Sequence, residues 1–236
     1  MALAQISGNL VAFPRADLRH ILGTAMKRHR LPEDLAQALV RDAGNFPDLP
    51  ADAALASALT RRLVPAPIDL EKARGILLVG PCGSGKSAVA AKIARAAALI
   101  GRKVELARAD GGLALFRTNS NPAELLTVME ADGFNPLNAR AASAFAALGD
   151  IDGVETIGVV SALNDAEDIA DIVSAFRFRR VIVTGLDRTR RLGAVLAASL
   201  SGARLAHVTY GPHPEDALDM LQPGTLAVQL LERSSH

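Results

Sequence analysis

The segment Gly80-Pro81-Cys82-Gly83-Ser84-Gly85-Lys86-Ser87 fits the pattern G-x-x-x-x-G-K-[ST]. It follows the apolar run GILLVG and opens the Ala-rich run SAVAAKIARAAAL, a strand-loop-helix context that the pattern requires. The chemistry this spacing can do is specific. Glycines at 80, 83 and 85 let consecutive backbone N–H groups, those of Cys82 and Ser84 included, face inward on phosphates. The following helix adds its positive end, Lys86 adds a point charge, and the Ser87 hydroxyl can ligate Mg²⁺. The loop predicts a nucleoside triphosphate site. Cys82 is the sole cysteine. Near a helix start its thiolate is favoured and its oxidation would obstruct phosphate binding, or the position is simply a tolerant one in the loop.

A second constellation follows the apolar run VIV: Thr184-Gly185-Leu186-Asp187, then Arg188-Thr189-Arg190-Arg191. Asp187 ends a predicted strand, where a carboxylate can read a ligand or cap the next helix. Asp110, before two glycines, suits a catalytic carboxylate or a turn. Arg177, Arg179, Arg180, Arg188, Arg190 and Arg191 surround this strand with Phe176 and Phe178 between them. They read as a basic patch for a partner, an anionic lipid or RNA, or as a solvated and partly paired face. The five histidines form no i, i+4 pair, and no G-x-S-x-G elbow is present. A metal site beyond nucleotide Mg²⁺ is not expected.

The elements that must position these residues are legible from punctuation and period. DLRHILGTAMKRH, LPEDLAQALVRDAG and ADAALASALTRRLV read as helices, the latter two after Pro32 and Pro50. VPAPIDLEKARG breaks the pattern, which predicts a helical N-terminal domain over 1–66 and an α/β domain over 67–236. Beyond it, strands are expected at Ile76 to Val79, Val104 to Ala107, Thr156 to Ser161, Val181 to Thr184 and Leu205 to Thr209. Helices are expected over Ser87 to Leu99, Ala166 to Phe176, Leu192 to Leu200 and near the C-terminus. GGLALFRTNSNP reads as loop, LLTVME as strand or helix, and AASAFAAL as helix. The alternation gives a three-layer α/β phosphate-loop fold with a mainly parallel sheet.

Composition bounds the rest. The 236 residues are 50% hydrophobic but only 3% aromatic, so Ala, Leu, Val and Ile must fill the core. No charge-free run approaches the roughly 18 to 20 residues that span a bilayer. The first residues lack a secretory pattern, so a cytoplasmic location is expected. One cysteine excludes an internal disulfide, and a net charge of +1 gives no global field for DNA, RNA or a membrane. Only five of the 26 basic residues are Lys, which makes each Lys position worth inspecting.

With these residues in place, ILLVGPCGSGKSAVAAKIARAAALIGRKVELARAD resembles the phosphate-loop half of signal-recognition-particle-type (SIMIBI) GTPases. TIGVVSALNDAEDIADIVSAFRFRRVIVTGLDRTRRLGAVLAASLSGARLAHVTYGPHPEDALDM resembles their second half, including a TKLD-like strand end, a helix opening with Gly, and a GQ-x-PED-like segment. The PED of Pro214, Glu215 and Asp216 points to the flagellar branch. The resemblance implies GTP/GDP and Mg²⁺ as cofactors, with Gly80, Gly85, Lys86 and Ser87 on phosphates and metal. It also implies Thr184 and Asp187 at the strand end that reads guanine, Gly211 at the loop closing over the base, and Asp110 positioning the attacking water. Implied partners are a second copy of the chain in a nucleotide-dependent dimer, a related GTPase, or a membrane-associated protein, with peripheral contact at the inner face of the membrane.

The departures from that family also carry an expectation. Its catalytic arginine falls at Leu113, its DTAG becomes Glu130-Ala131-Asp132-Gly133, and the Lys of TKLD becomes Gly185. The expected function is a nucleotide-dependent switch in flagellar or membrane-protein placement with weak hydrolysis. The rivals are a binding or regulatory module without turnover, and a phosphate-loop ATPase or kinase in which VIVTGLD supplies an acidic strand end.

Overall fold

In the computed structural model, residues 15–109, 125–135 and 152–232 are described. The apolar runs form strands β1 (Gly75–Val79), β2 (Lys103–Arg108), β3 (Leu125–Glu130), β4 (Val154–Ser161), β5 (Arg180–Thr184) and β6 (Arg204–Thr209), followed by a short β7 (Leu218–Asp219). LLTVME, which the sequence allows as strand or helix, is β3. Leu126, Thr127, Val128 and Met129 are all buried because the strand lies inside a parallel sheet covered on both faces.

The sheet order is β2-β3-β1-β4-β5-β6-β7. All neighbours pair in parallel except β6 and β7. The carboxyl ends of β1 through β6 therefore share one edge. The strand order reverses beside β1, and ligands of open α/β sheets bind outside the carboxyl ends at such a reversal.

The helices are α1 (Arg15–Arg28), α2 (Glu33–Ala43), α3 (Ala51–Arg62), α4 (Lys86–Leu99), α5 (Ala166–Phe176), α6 (Gly193–Leu200) and α7 (Pro223–Glu232). Successive strand residues alternate between two cores, as their pleat dictates. Ile76 and Leu78 of β1 join Val89, Ala90 and Ile93 of α4 on one face. Leu77 and Val79 join α5, α6, α7 and the three N-terminal helices on the other. Helix α6 is apolar around its whole circumference and buried from Gly193 to Ser199, as such a helix must be.

Three contacts dock the N-terminal helices on this framework. Helix α3 packs along α7. At the end of α1, the buried His29 accepts the Leu192 N–H on Nδ1 (3.0 Å) and donates from Nε2 to the Leu230 carbonyl (3.1 Å). In the connector, Arg180 donates to the carbonyls of Ala66 (3.1 Å) and Pro67 (2.7 Å), and its Nε lies 2.5 Å from Glu155. Arg180 is therefore a brace for the segment joining α3 to β1.

Candidate functional site

The phosphate loop leaves β1 at Val79 and enters α4 at Lys86, its shape set by close approaches. A Cβ at Gly80 would lie 2.1 Å from the Val159 carbonyl oxygen, and Gly85 sits at φ +92 against the Thr184 side chain. Both positions therefore demand glycine. Thr184 is buried at the end of β5, and its hydroxyl donates to the Ser84 carbonyl at 2.7 Å. Its contact is with the loop, which it holds from behind.

Helix α4 starts on a glycine with no side-chain cap and carries no acidic residue in its first turn. Its orphan N–H groups and positive end thus have no counter-charge of their own, the condition under which an anion is favoured there. Lys86 Nζ lies across the loop, donating to the carbonyls of Gly80 (2.9 Å) and Pro81 (3.0 Å). Burial lowers its pKa, opposed by the negative forms of Cys82 and Glu130. Two of the loop N–H groups expected to face phosphates have protein acceptors here: Cys82 donates to the Phe134 carbonyl (3.2 Å) and Ser84 to that of Pro81 (3.3 Å).

The Ser87 hydroxyl donates to Glu130 Oε2 at 2.7 Å, joining the start of α4 to the end of β3. Two hard oxygen donors side by side suit Mg²⁺, which takes few protein oxygens and keeps several waters. Among the described residues there is no group of three His, Cys, Asp or Glu able to hold another metal. Gly133 lies so close to the loop that a Cβ there would come within 2.7 Å of Cys82 Sγ. Asp132 is exposed and paired with Arg108.

On the other side of β1, Asp187 lies in a 3-10 turn (Leu186–Arg188), and its Oδ1 accepts the Gly211 N–H at 2.9 Å. The helix-capping alternative for Asp187 fails, since the residue at the start of α6 is Leu192. The structure thus gathers Gly80 to Ser87, Thr184, Asp187 and Gly211 along one sheet edge. Asp110 and Leu113 lie outside the described residues.

The arginines do not form one patch. Arg177 and Arg179 precede β5, Arg180 opens it, and Arg188, Arg190 and Arg191 follow it, so roughly 13 Å of strand separates the groups. Phe176 and Phe178 are buried, and Phe176 stacks on Phe134 (4.2 Å between centroids) and on Phe178 (5.5 Å). They are core residues, so the interleaved aromatic face that RNA binding would use is absent at this place.

Sequence reasoning passed over Lys92, which is 2% exposed in α4 and bonded to the segment after β6. Its signal was available in the scarcity of lysine, and in a charge set among the apolar residues of an Ala-rich helix.

Together these features define a phosphate-loop α/β protein with a carboxylate, Asp187, on the same sheet edge as the loop. No sequence-family description matches the chain, and no curated protein matches it by sequence. Solved structures do match in fold. FlhF complexed with GMPPNP and Mg²⁺ superposes with a TM-score of 0.69 at 17% identity, covering 91% of this chain and 99% of that one. FtsY from Mycoplasma mycoides gives 0.64 at 16%, covering 93% and 94%. The signal recognition particle receptor FtsY from Elizabethkingia anophelis, in complex with GDP, gives 0.64 at 16%, covering 92% and 85%. The chain has the fold of these signal-recognition-particle-type GTPases, N-terminal helices included.

Proposed function

We propose that this chain is a signal-recognition-particle-type GTP-binding protein that takes GTP or GDP with Mg²⁺ and works as a nucleotide-dependent switch. The observation that carries the reading is the Gly211 N–H bond to Asp187 on the sheet edge that also carries the phosphate loop. A fixed carboxylate there can accept from the N1 and N2 groups of guanine, a donor pair that adenine lacks. Lys86 and the α4 N-terminus would hold phosphates, and Ser87 with Glu130 would hold the metal, which neutralises charge on the phosphate oxygens when bound. Titration with GTP, GDP and ATP beside Lys86→Ala is the test. Guanine-selective binding lost in the variant is expected, and a preference for ATP, or no binding, removes the assignment.

The likeness to FlhF and FtsY supports a role in placing flagellar or membrane proteins through a second copy or a related GTPase at the inner face of the membrane. Among the described residues no helix is long and apolar enough to cross a membrane. Leu113 in place of the family arginine favours slow hydrolysis, because the charge that would stabilise the transferring phosphoryl is missing. It also supports a second reading, a binding module without turnover. Stimulated phosphate release that Lys86→Ala abolishes would decide against that second reading.

A further inference from the structure

Lys92 has no place in phosphate binding, yet it is a fully buried charge. It lies in α4 beneath the segment that follows β6, and its Nζ meets three oxygens there: the carbonyls of His213 and Asp216 (2.9 Å) and the Asp216 carboxylate (3.6 Å). An ammonium has three donors and no acceptor; the two carbonyls accept from it and the carboxylate adds an opposite charge. An aliphatic side chain would fill the same space without the desolvation cost of a charge, so packing alone does not account for a lysine.

The contacts continue toward the base site. Asp216 Oδ2 accepts the His213 N–H at 2.9 Å, which closes the segment into a tight loop. Gly211 stands against the same carboxylate at φ +78, where a Cβ would come within 2.3 Å of Oδ2. The Gly211 N–H then donates to Asp187, the one hydrogen bond to that carboxylate among the described residues. A continuous path therefore runs from Lys92 through Asp216 and Gly211 to Asp187, and every link is a charge contact, a hydrogen bond or a steric fit. We propose that Lys92 is a positioning residue for base selection: by holding the loop from Gly211 to Asp216 it orients the Asp187 carboxylate and thereby sets the preference for guanine over adenine. This rests on the guanine reading above.

The test is calorimetric titration of wild type, Lys92→Met and Asp216→Asn with GDP, ADP and inorganic tripolyphosphate. Lys92→Met is expected to weaken GDP about tenfold, the size of one lost oriented hydrogen bond. ADP and tripolyphosphate affinities should hold, so the GDP-to-ADP ratio falls. Asp216→Asn, at a side chain 34% exposed, should lower the ratio in the same direction and serves if Lys92→Met does not fold. A wild type that does not favour GDP over ADP overturns the guanine reading itself. A selective wild type with equally selective variants overturns only the role of Lys92. Equal weakening of all three ligands also overturns it, since that is what mere support of α4 would produce.

Discussion

The Thr184 hydroxyl donates to the carbonyl of Ser84 at 2.7 Å, so the end of β5 and the phosphate loop, a hundred residues apart, are held as one piece. The same hydroxyl lies 3.3 Å from the Val160 carbonyl, which places it where β4, β5 and the loop converge. Thr184→Val keeps the shape and removes the donor, leaving the Ser84 carbonyl without that partner. A loss of about 1–2 kcal/mol in stability is expected by urea unfolding, typical of a buried acceptor left unmet. With the loop on the phosphates, as proposed, GDP and ADP should weaken by the same factor. A change in their ratio would count against this role.

Glu130 and Ser87 make a separate prediction about metal. If their paired oxygens hold Mg²⁺, Glu130→Ala should lower the factor by which Mg²⁺ strengthens GTP binding. The affinity measured in EDTA should stay at the wild-type level. Titration with and without the cation reads both numbers, and an unchanged Mg²⁺ factor would show that Glu130 takes no part.

His207 gives the fold a pH dependence. Its Nε2 accepts the Ile68 N–H at 3.1 Å, which only a ring unprotonated at that nitrogen can do. Burial lowers its pKa below 6.5, with smaller opposing effects from the backbone of Asp219 and Leu218. The unfolded chain therefore binds a proton that the folded chain refuses. Stability from this group is complete above about pH 6.5 and falls as the pH drops through the folded value. Glu155, whose pKa burial raises against the pull of Arg180, acts with opposite sign nearer pH 4.5, so the comparison belongs with a variant. Between pH 7 and pH 5, wild type should lose more stability in urea than His207→Gln does. Parallel losses would show that another group carries the slope.

The elements were legible where one residue type dominates a run. β1, β4, β5 and β6 announce themselves as apolar stretches between turns, and the loop from Gly80 to Ser87 is fixed by steric demands that only glycine meets. β3 was ambiguous because LLTVME is short and buried on both faces, so period alone cannot separate strand from helix. Of the two readings the arginines allowed, the partly paired face holds at Arg180. The single patch does not, because a strand of five residues puts sequence neighbours at opposite edges of a sheet. Lys92 stood out as a scarce lysine, but its role was not legible because its partners, His213 and Asp216, lie more than a hundred positions away.

Gly193 shows how a letter that the sequence offered only by resemblance acquires a physical cause. It opens α6, and a Cβ there would come within 2.1 Å of the His29 carbonyl oxygen and 3.0 Å of that of Arg30. Both are backbone atoms, so no rotamer change relieves the clash. Gly193→Ala must therefore push the end of α1 away from α6, straining the His29 bonds to Leu192 and Leu230. The expected cost is about 1–3 kcal/mol, the range for overpacking a closed core, read as a lower urea midpoint with an unchanged slope. Hydrogen exchange should rise at the Leu192 amide and along α1 while β1 and α4 stay protected. Uniform loss of protection would instead mean that the N-terminal helices and the sheet unfold as a single unit.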